Sequence, residues 1–447
     1  MKKPSFRPLL TVTAAACMLP AVALHAQTTL QSPGGQLGES AAQPAGQPMS
    51  TPMGGSVVVP MSPAASISQP FPPVSGTYSE AEREGFHPRA IAGIERDSNV
   101  TRTSGPKTSD TITQLGLGLR FNKRYGLQRV VVDGEFDHYD FDKLSTKYNT
   151  VNYAAAWYFA LGNVIDGVAS ADRRQFRDVT INSAPGVPGS LAGTINRRTE
   201  RNELVEGRYK FGAAWRLLAG AQHFQATSTD PAVSWDGDPS INSARVGVQY
   251  ESATGSTLTG RYRHGTGDYR VGLAPSFKDD ETELVAHYVL SPKTALDGRI
   301  AKFKREHDAA PSRNFDGTTG SLSAIWDATP KTRLVAGYSH DLASYLGGTG
   351  GHQESDRYYI APVWRATELT SVNFRLEHEN RKFVDVTGAP LDVGRTDKFD
   401  VAAIGVDWQV RRTIGVSGQY RNERRSSSLP GFNYRANVIG LAVKLTL

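Results

Sequence analysis

The residues with the most evident chemical potential are guanidinium and carboxylate groups recurring at two-residue spacing. Arg120, Arg208, Arg216, Arg245, Arg261, Arg263, Arg299, Arg375 and Arg421 share a face, by parity, with Glu135, Glu283 and Glu377. Lys210, Arg333, Arg357, Asp133, Asp137, Glu206 and Asp297 fall on the same side. Guanidinium groups recognise anionic and hydroxylated solutes through several N–H donors in a fixed fork. Filling the interior with cross-strand ion pairs is the competing use of such a set. Arg208 and Arg216 flank one short turn, and Arg245 and Arg261 flank the next. Exposed ion pairs contribute only about 0–1 kcal/mol each. The expectation is therefore many weak donors, and little effect from replacing any one arginine.

Covalent chemistry has no comparable signal. The ten histidines form no His-x-x-x-His or Glu-x-x-His arrangement, and no Gly-x-Ser-x-Gly occurs. A hydrolase would have to draw on His264, His340, His378, Ser344 and Asp341. Asp97-Ser-Asn99 and Asp137-His-Tyr-Asp140 lack the ligand count of a calcium loop. A single cysteine, Cys17, offers neither a disulfide framework nor a cysteine-based zinc site. No catalytic residue, metal or cofactor is expected.

The elements carrying these residues alternate with period two. Leu115, Leu117, Leu119 and Phe121 share one face, as do Val151, Tyr153, Ala155, Trp157 and Phe159. The pattern recurs in Leu284, Ala286, Tyr288 and Leu290, and ends on Ile439, Leu441, Val443, Leu445 and Leu447. Alternation fits a soluble sandwich or a membrane barrel equally. The connections decide. Eighteen candidate strands are joined alternately by short turns, such as Asn122 to Gly126, and by long polar loops, such as Asp178 to Arg197. That segregation is the arrangement of an outer-membrane barrel with both termini on the periplasmic side. Tyr125, Trp157, Trp215, Trp326, Trp364 and Trp408 sit beside the short turns, as an interfacial aromatic belt requires. Pro362 cannot donate to a strand ladder and predicts a bulge or local weakness.

The barrel is expected over residues 87–447. Residues 1–26 read as a signal peptide: Lys2, Lys3 and Arg7, an apolar stretch from Leu9 to Leu24, and cleavage after Ala23 or Ala26. Residues 27–86 read as a Pro/Gly/Ser-rich periplasmic linker, with a helical turn over Tyr78–Gly85 and no plug in the barrel. The net charge of +6 is spread along the body, without the basic stripe of a nucleic-acid binder. The expected surroundings are outer-membrane lipid and the barrel-assembly machinery.

Ala92-Gly-Ile-Glu-Arg-Asp-Ser-Asn-Val100 resembles the opening strand of bacterial β-barrel porins. Tyr153 to Gly162, followed by Gly167-Val-Ala-Ser-Ala-Asp-Arg173, resembles the EpsL family of outer-membrane proteins from exopolysaccharide operons associated with exosortases. That resemblance spans about residues 87–447 and carries no catalytic residues. It implies a conduit or accessory component in polysaccharide export, with polysaccharide and periplasmic export components as partners. The chain departs from many barrels in ending on Leu447 rather than Phe or Trp. The alternatives are a general porin for small solutes, and an outer-membrane hydrolase or adhesin.

Overall fold

The computed structural model describes residues 84–178, 195–231, 234–271, 276–345, 350–385, 394–429 and 431–446. The expected signal peptide, nearly all of the linker, most of the Tyr78–Gly85 turn and Leu447 lie outside them. Eighteen strands follow in chain order: β1 Gly85–Asp97, β2 Asp110–Tyr125, β3 Gln128–Phe141, β4 Lys147–Leu161, β5 Ile165–Asp178 and β6 Asn196–Phe211. Next come β7 Trp215–Ser228, β8 Pro239–Glu251, β9 Thr257–Tyr269, β10 Ser276–Ser291, β11 Thr294–His307 and β12 Phe315–Thr329. The last are β13 Thr332–Ser344, β14 Gly350–Arg365, β15 Thr370–Asp385, β16 Thr396–Arg411, β17 Ile414–Ser427 and β18 Tyr434–Thr446. Gly85 and Phe86 already belong to β1, two residues ahead of the expected start, and Phe86 pairs with Phe121.

Each strand pairs antiparallel with its neighbours, and β1 pairs with β18 from Arg89–Thr446 to Asp97–Val438. The sheet is a closed transmembrane barrel of the outer-membrane kind. Closure follows from the solvent: in hydrocarbon an unpaired backbone edge costs several kcal/mol per polar group. The short turns lie at one end and the longer loops at the other. Gly126 and Gly162 take positive φ of 61° and 62° there, a conformation that side chains disfavour and tight turns require.

One residue parity is exposed and apolar, as Leu115, Leu117, Leu322, Leu376 and Leu441 show. This is the outer face, toward lipid. The other parity is buried and largely charged, as Glu206, Glu281, Glu379 and Glu423 show.

Three departures from uniform pairing matter. Partner pairs between β14 and β15 lapse at Ala361 and Pro362 and resume in the same register at Val363–Asn373. Pro362 thus weakens the ladder without the bulge that was its alternative effect. Between β4 and β5, pairing covers only Tyr153–Leu161 against Ile165–Arg173, although both strands run further. Above that seam the ends of β5 and β6 lean into the mouth. Ile195 packs against Val100, Ile112 and Phe141, and Arg177 reaches Asp97 on β1 at 3.3 Å. Third, the β7–β8 loop also folds inward. Its Trp235 packs with Ala343 and Tyr345 at the end of β13 and with Phe383 of β15.

Candidate functional site

The candidate site is the inward face, and it has two levels. The lower level, toward the short turns and mid-barrel, holds the arginines singled out from sequence. Each lies on the inward parity, and neighbouring carboxylates engage most of them. Arg261, Arg263, Arg299 and Glu283 converge with Glu281 into one network across β9, β10 and β11. Arg261 binds Glu283 at 2.8 Å, Arg263 binds Glu281 at 2.6 Å, and Arg299 spans both carboxylates. Arg375 meets Glu377 at 2.5 Å, and Arg357 lies between Glu377 and Glu379. Arg245 binds Glu206 at 2.5 Å, Arg208 binds Asp166 and Arg216 binds Glu251. Glu135 faces Arg89 at 3.1 Å, and Arg120 stands opposite Asp133 in the β2–β3 register. Arg421 is remote from the β9–β11 network and pairs with Glu423 at 2.6 Å.

Burial corrects the expected energetics. Most of these groups are shielded from water, so they are not the exposed pairs worth about 0–1 kcal/mol. Removing one partner from a buried pair costs about 3–5 kcal/mol, because the other charge stays uncompensated.

The upper level, at the long-loop mouth, combines arginine with aromatic rings. Arg305 lies 3.9 Å from the centre of the Phe277 ring and donates to both Asp279 oxygens at 2.7 Å. It also reaches Ser344 Oγ at 3.0 Å and the Tyr269 hydroxyl at 3.3 Å. Arg395 sits between Phe383 and Phe432, 4.2 and 4.1 Å from their centres, and shares Asp397 with Arg425. Arg381 covers Phe399 at 4.0 Å. Desolvated cations over ring faces contribute roughly 2 kcal/mol or more. Arg198 on β6 binds Asp236 and thereby holds the inward loop that carries Trp235. In the β1–β2 loop, burial opposes the charge of Arg102. The carboxylates of Glu423 and Asp97 outweigh that and raise its pKa above the ordinary arginine value.

Sequence reasoning missed this upper set. Its signal was the two-residue pairing of arginine with phenylalanine on one face: Arg174 with Phe176, Phe303 with Arg305, and Arg381 with Phe383. The residues that a hydrolase would have used do not converge. His264, His340 and His378 face outward, hydrogen-bonded to Asp280, Asp356 and Asp400. Ser344 points inward and contacts Tyr269 and Arg305. Among the described residues no group of acidic and histidine side chains has metal-binding geometry. Asp97 is taken up by Arg102, Arg177 and the Asn99 backbone N–H.

A family model described as "Putative beta-barrel porin 2" matches residues 303–447. The match agrees with the porin resemblance read in β1. It lies beyond the β4–β5 motifs that suggested an exopolysaccharide family, and it describes channels rather than enzymes. No curated protein matches the chain. Among solved structures the chain is similar to OccK1 (OpdK) of Pseudomonas aeruginosa, with 10% identity over 81% of this chain and 98% of that one, at a TM-score of 0.45. It is similar to OccK2 (OpdF) of the same organism, crystallised with glucuronate, at 11% identity, 81% and 98% coverage and a TM-score of 0.45. A BenF-like porin from Pseudomonas fluorescens Pf-5 gives 10% identity, 81% and 99% coverage and a TM-score of 0.44.

Proposed function

We propose that the protein is an outer-membrane porin for small polar solutes, with its narrowest passage at the long-loop mouth. The observation that carries this reading is the inward β7–β8 loop, whose Trp235 meets the far wall at Tyr345 and Phe383. A polysaccharide conduit needs a wide, water-filled bore. Here the inward Arg198, Glu206, Glu281, Glu379 and Glu423 are fully buried, which favours a narrow path. The description of the matched family supports the same choice over polysaccharide export. The inward arginines that keep some contact with water, such as Arg216, Arg333 and Arg375, line this path and set which solutes enter. The short turns and both chain ends face the periplasm, and the long loops face outward, as is usual for such barrels.

The test is reconstitution into planar bilayers and liposomes. Small, discrete conductance steps and entry of small sugar acids are expected, with exclusion of soluble polysaccharide. Conductance wide enough to pass the polymer would return the export reading, and no conductance at all would sink the channel reading.

A further inference from the structure

At the long-loop edge of the apolar belt, the outer face carries a polar girdle. His138 pairs across strands with Asn149, His223 with Asn242, His264 with Asp280, His340 with Asp356 and His378 with Asp400. Asn422 and Asn437 add a sixth pair on the last hairpin. Each pair holds a donor or a protonatable ring against an acceptor. The β5–β6 hairpin breaks the rule. Its girdle position is Arg173 directly opposite Arg201. Like charges placed directly opposite one another destabilise a sheet. Arg197 reaches the same seam, where its guanidinium donates to the Asn149 carbonyl at 3.1 Å. Arg173 donates to the Val151 carbonyl. These contacts cap the β4 edge that β5 leaves unpaired, and they fix the guanidiniums in place. Among the described residues no carboxylate forms an ion pair with Arg173, Arg197 or Arg201, and residues 179–194 contain no Asp or Glu. The nearest outward carboxylate on β6 is Glu203, one step below Arg201.

Beneath the arginines the outer wall is concave. A groove of about 740 Å³ runs across β3 to β9, and its lining includes Val132, Ala155, Trp157, Ala171, Val205 and Ala221. Its upper margin is polar, with Glu203, His223 and His264. An apolar groove under a cationic rim matches an amphiphile with an anionic head and acyl tails. We propose that this groove binds one phosphate-bearing, multiply acylated lipid of the outer leaflet. Its phosphate meets Arg173 and Arg201, and its chains lie along the groove. Guanidinium and phosphate pair through two parallel N–H donors, and this anion supplies the counter-charge that the like-charged pair lacks. A second copy of the chain fits less well, because a two-fold interface would bring the same arginine clusters together. The site rests on the transmembrane reading but not on conduction, so its test is separate from that of the channel.

The test uses the full-length protein purified in neutral detergent and native mass spectrometry with bis-phosphorylated lipid A as probe. One lipid per barrel should be retained, and phosphatidylcholine and inorganic phosphate should neither replace it nor compete. Arg201→Gln is the clean variant, because among the described residues Arg201 caps no carbonyl and the barrel should fold normally on a heat-modifiability gel. It should weaken retention about tenfold or more, the loss expected for one charge-assisted contact. Ala221→Trp should fill the groove and reduce retention with every arginine intact. Equal retention by Arg201→Gln, equal binding of phosphatidylcholine, or lipid-free dimers seated on the groove would each overturn the assignment.

Discussion

Arg198 and Asp236 form a two-point ion pair at the barrel mouth, Nη1 to Oδ1 at 2.9 Å and Nη2 to Oδ2 at 2.6 Å. Arg198 is fully buried on the wall, whereas Asp236 belongs to the loop that crosses the mouth. The pair therefore fixes how far Trp235 projects. Arg198 also binds Glu200 at 2.9 Å and lies 3.7 Å from Asp238, so its charge keeps two partners if Asp236 is changed.

Replacing Asp236 with Asn should free the loop without unfolding the barrel. Single-channel conductance should rise and become noisier, and the heat-modifiability shift should stay. Unchanged conductance would place the narrowest point elsewhere.

Glu283 makes a second prediction. It serves Arg261 and Arg299 together. Glu283→Gln leaves two buried cations short of charge and should destabilise the barrel by about 3–5 kcal/mol. Combining it with Arg261→Gln should restore part of that loss. Urea unfolding of the four proteins in liposomes gives the coupling, and strict additivity would show that the network is not a unit.

Much of the barrel was readable because its signal is local. Leu115, Leu117 and Leu119 announce an outward face within five residues, and Arg261 and Arg263 announce an inward one. Strand number and the inward parity of the arginines follow from the same alternation. Pairing is different, because a partner lies on the next strand and register decides it. His138 and Asn149 look unrelated until their strands align, and so the girdle histidines read as scattered. The inward turn of the β7–β8 loop is less legible still. Nothing near Trp235 in sequence signals Phe383, about 150 residues later on a distant strand, as its packing partner. The gap in the β4–β5 ladder accompanies the inward lean of the β5 and β6 ends, and no short motif encodes that.

The girdle predicts a depth profile along the outward residues of β15. Nitroxides attached at Phe374 and Leu376 should be relaxed by oxygen, and one at Asn380 by a water-soluble nickel chelate. His378 should mark the crossover. Oxygen-dominated relaxation at Asn380 would move the hydrocarbon boundary above the histidines and undo the girdle as its marker.

The closing strand makes the sharpest test of which face meets lipid. Leu441 and Ala442 are neighbours in β18, and both lie within the β1–β18 seam, opposite Ile94 and Gly93. Leu441 is exposed on the outer face, mid-belt, whereas Ala442 has the inward parity. A charge near the bilayer midplane costs about 2–4 kcal/mol on the lipid face of a barrel and much less on the lumen side. Leu441→Arg should therefore lower unfolding stability in liposomes by that amount and slow closure of the seam. Ala442→Arg, the same charge one residue away on the same backbone ladder, should cost much less. If the two substitutions cost the same, or if the inward one costs more, the assignment of faces is reversed and the inward arginines lose their role.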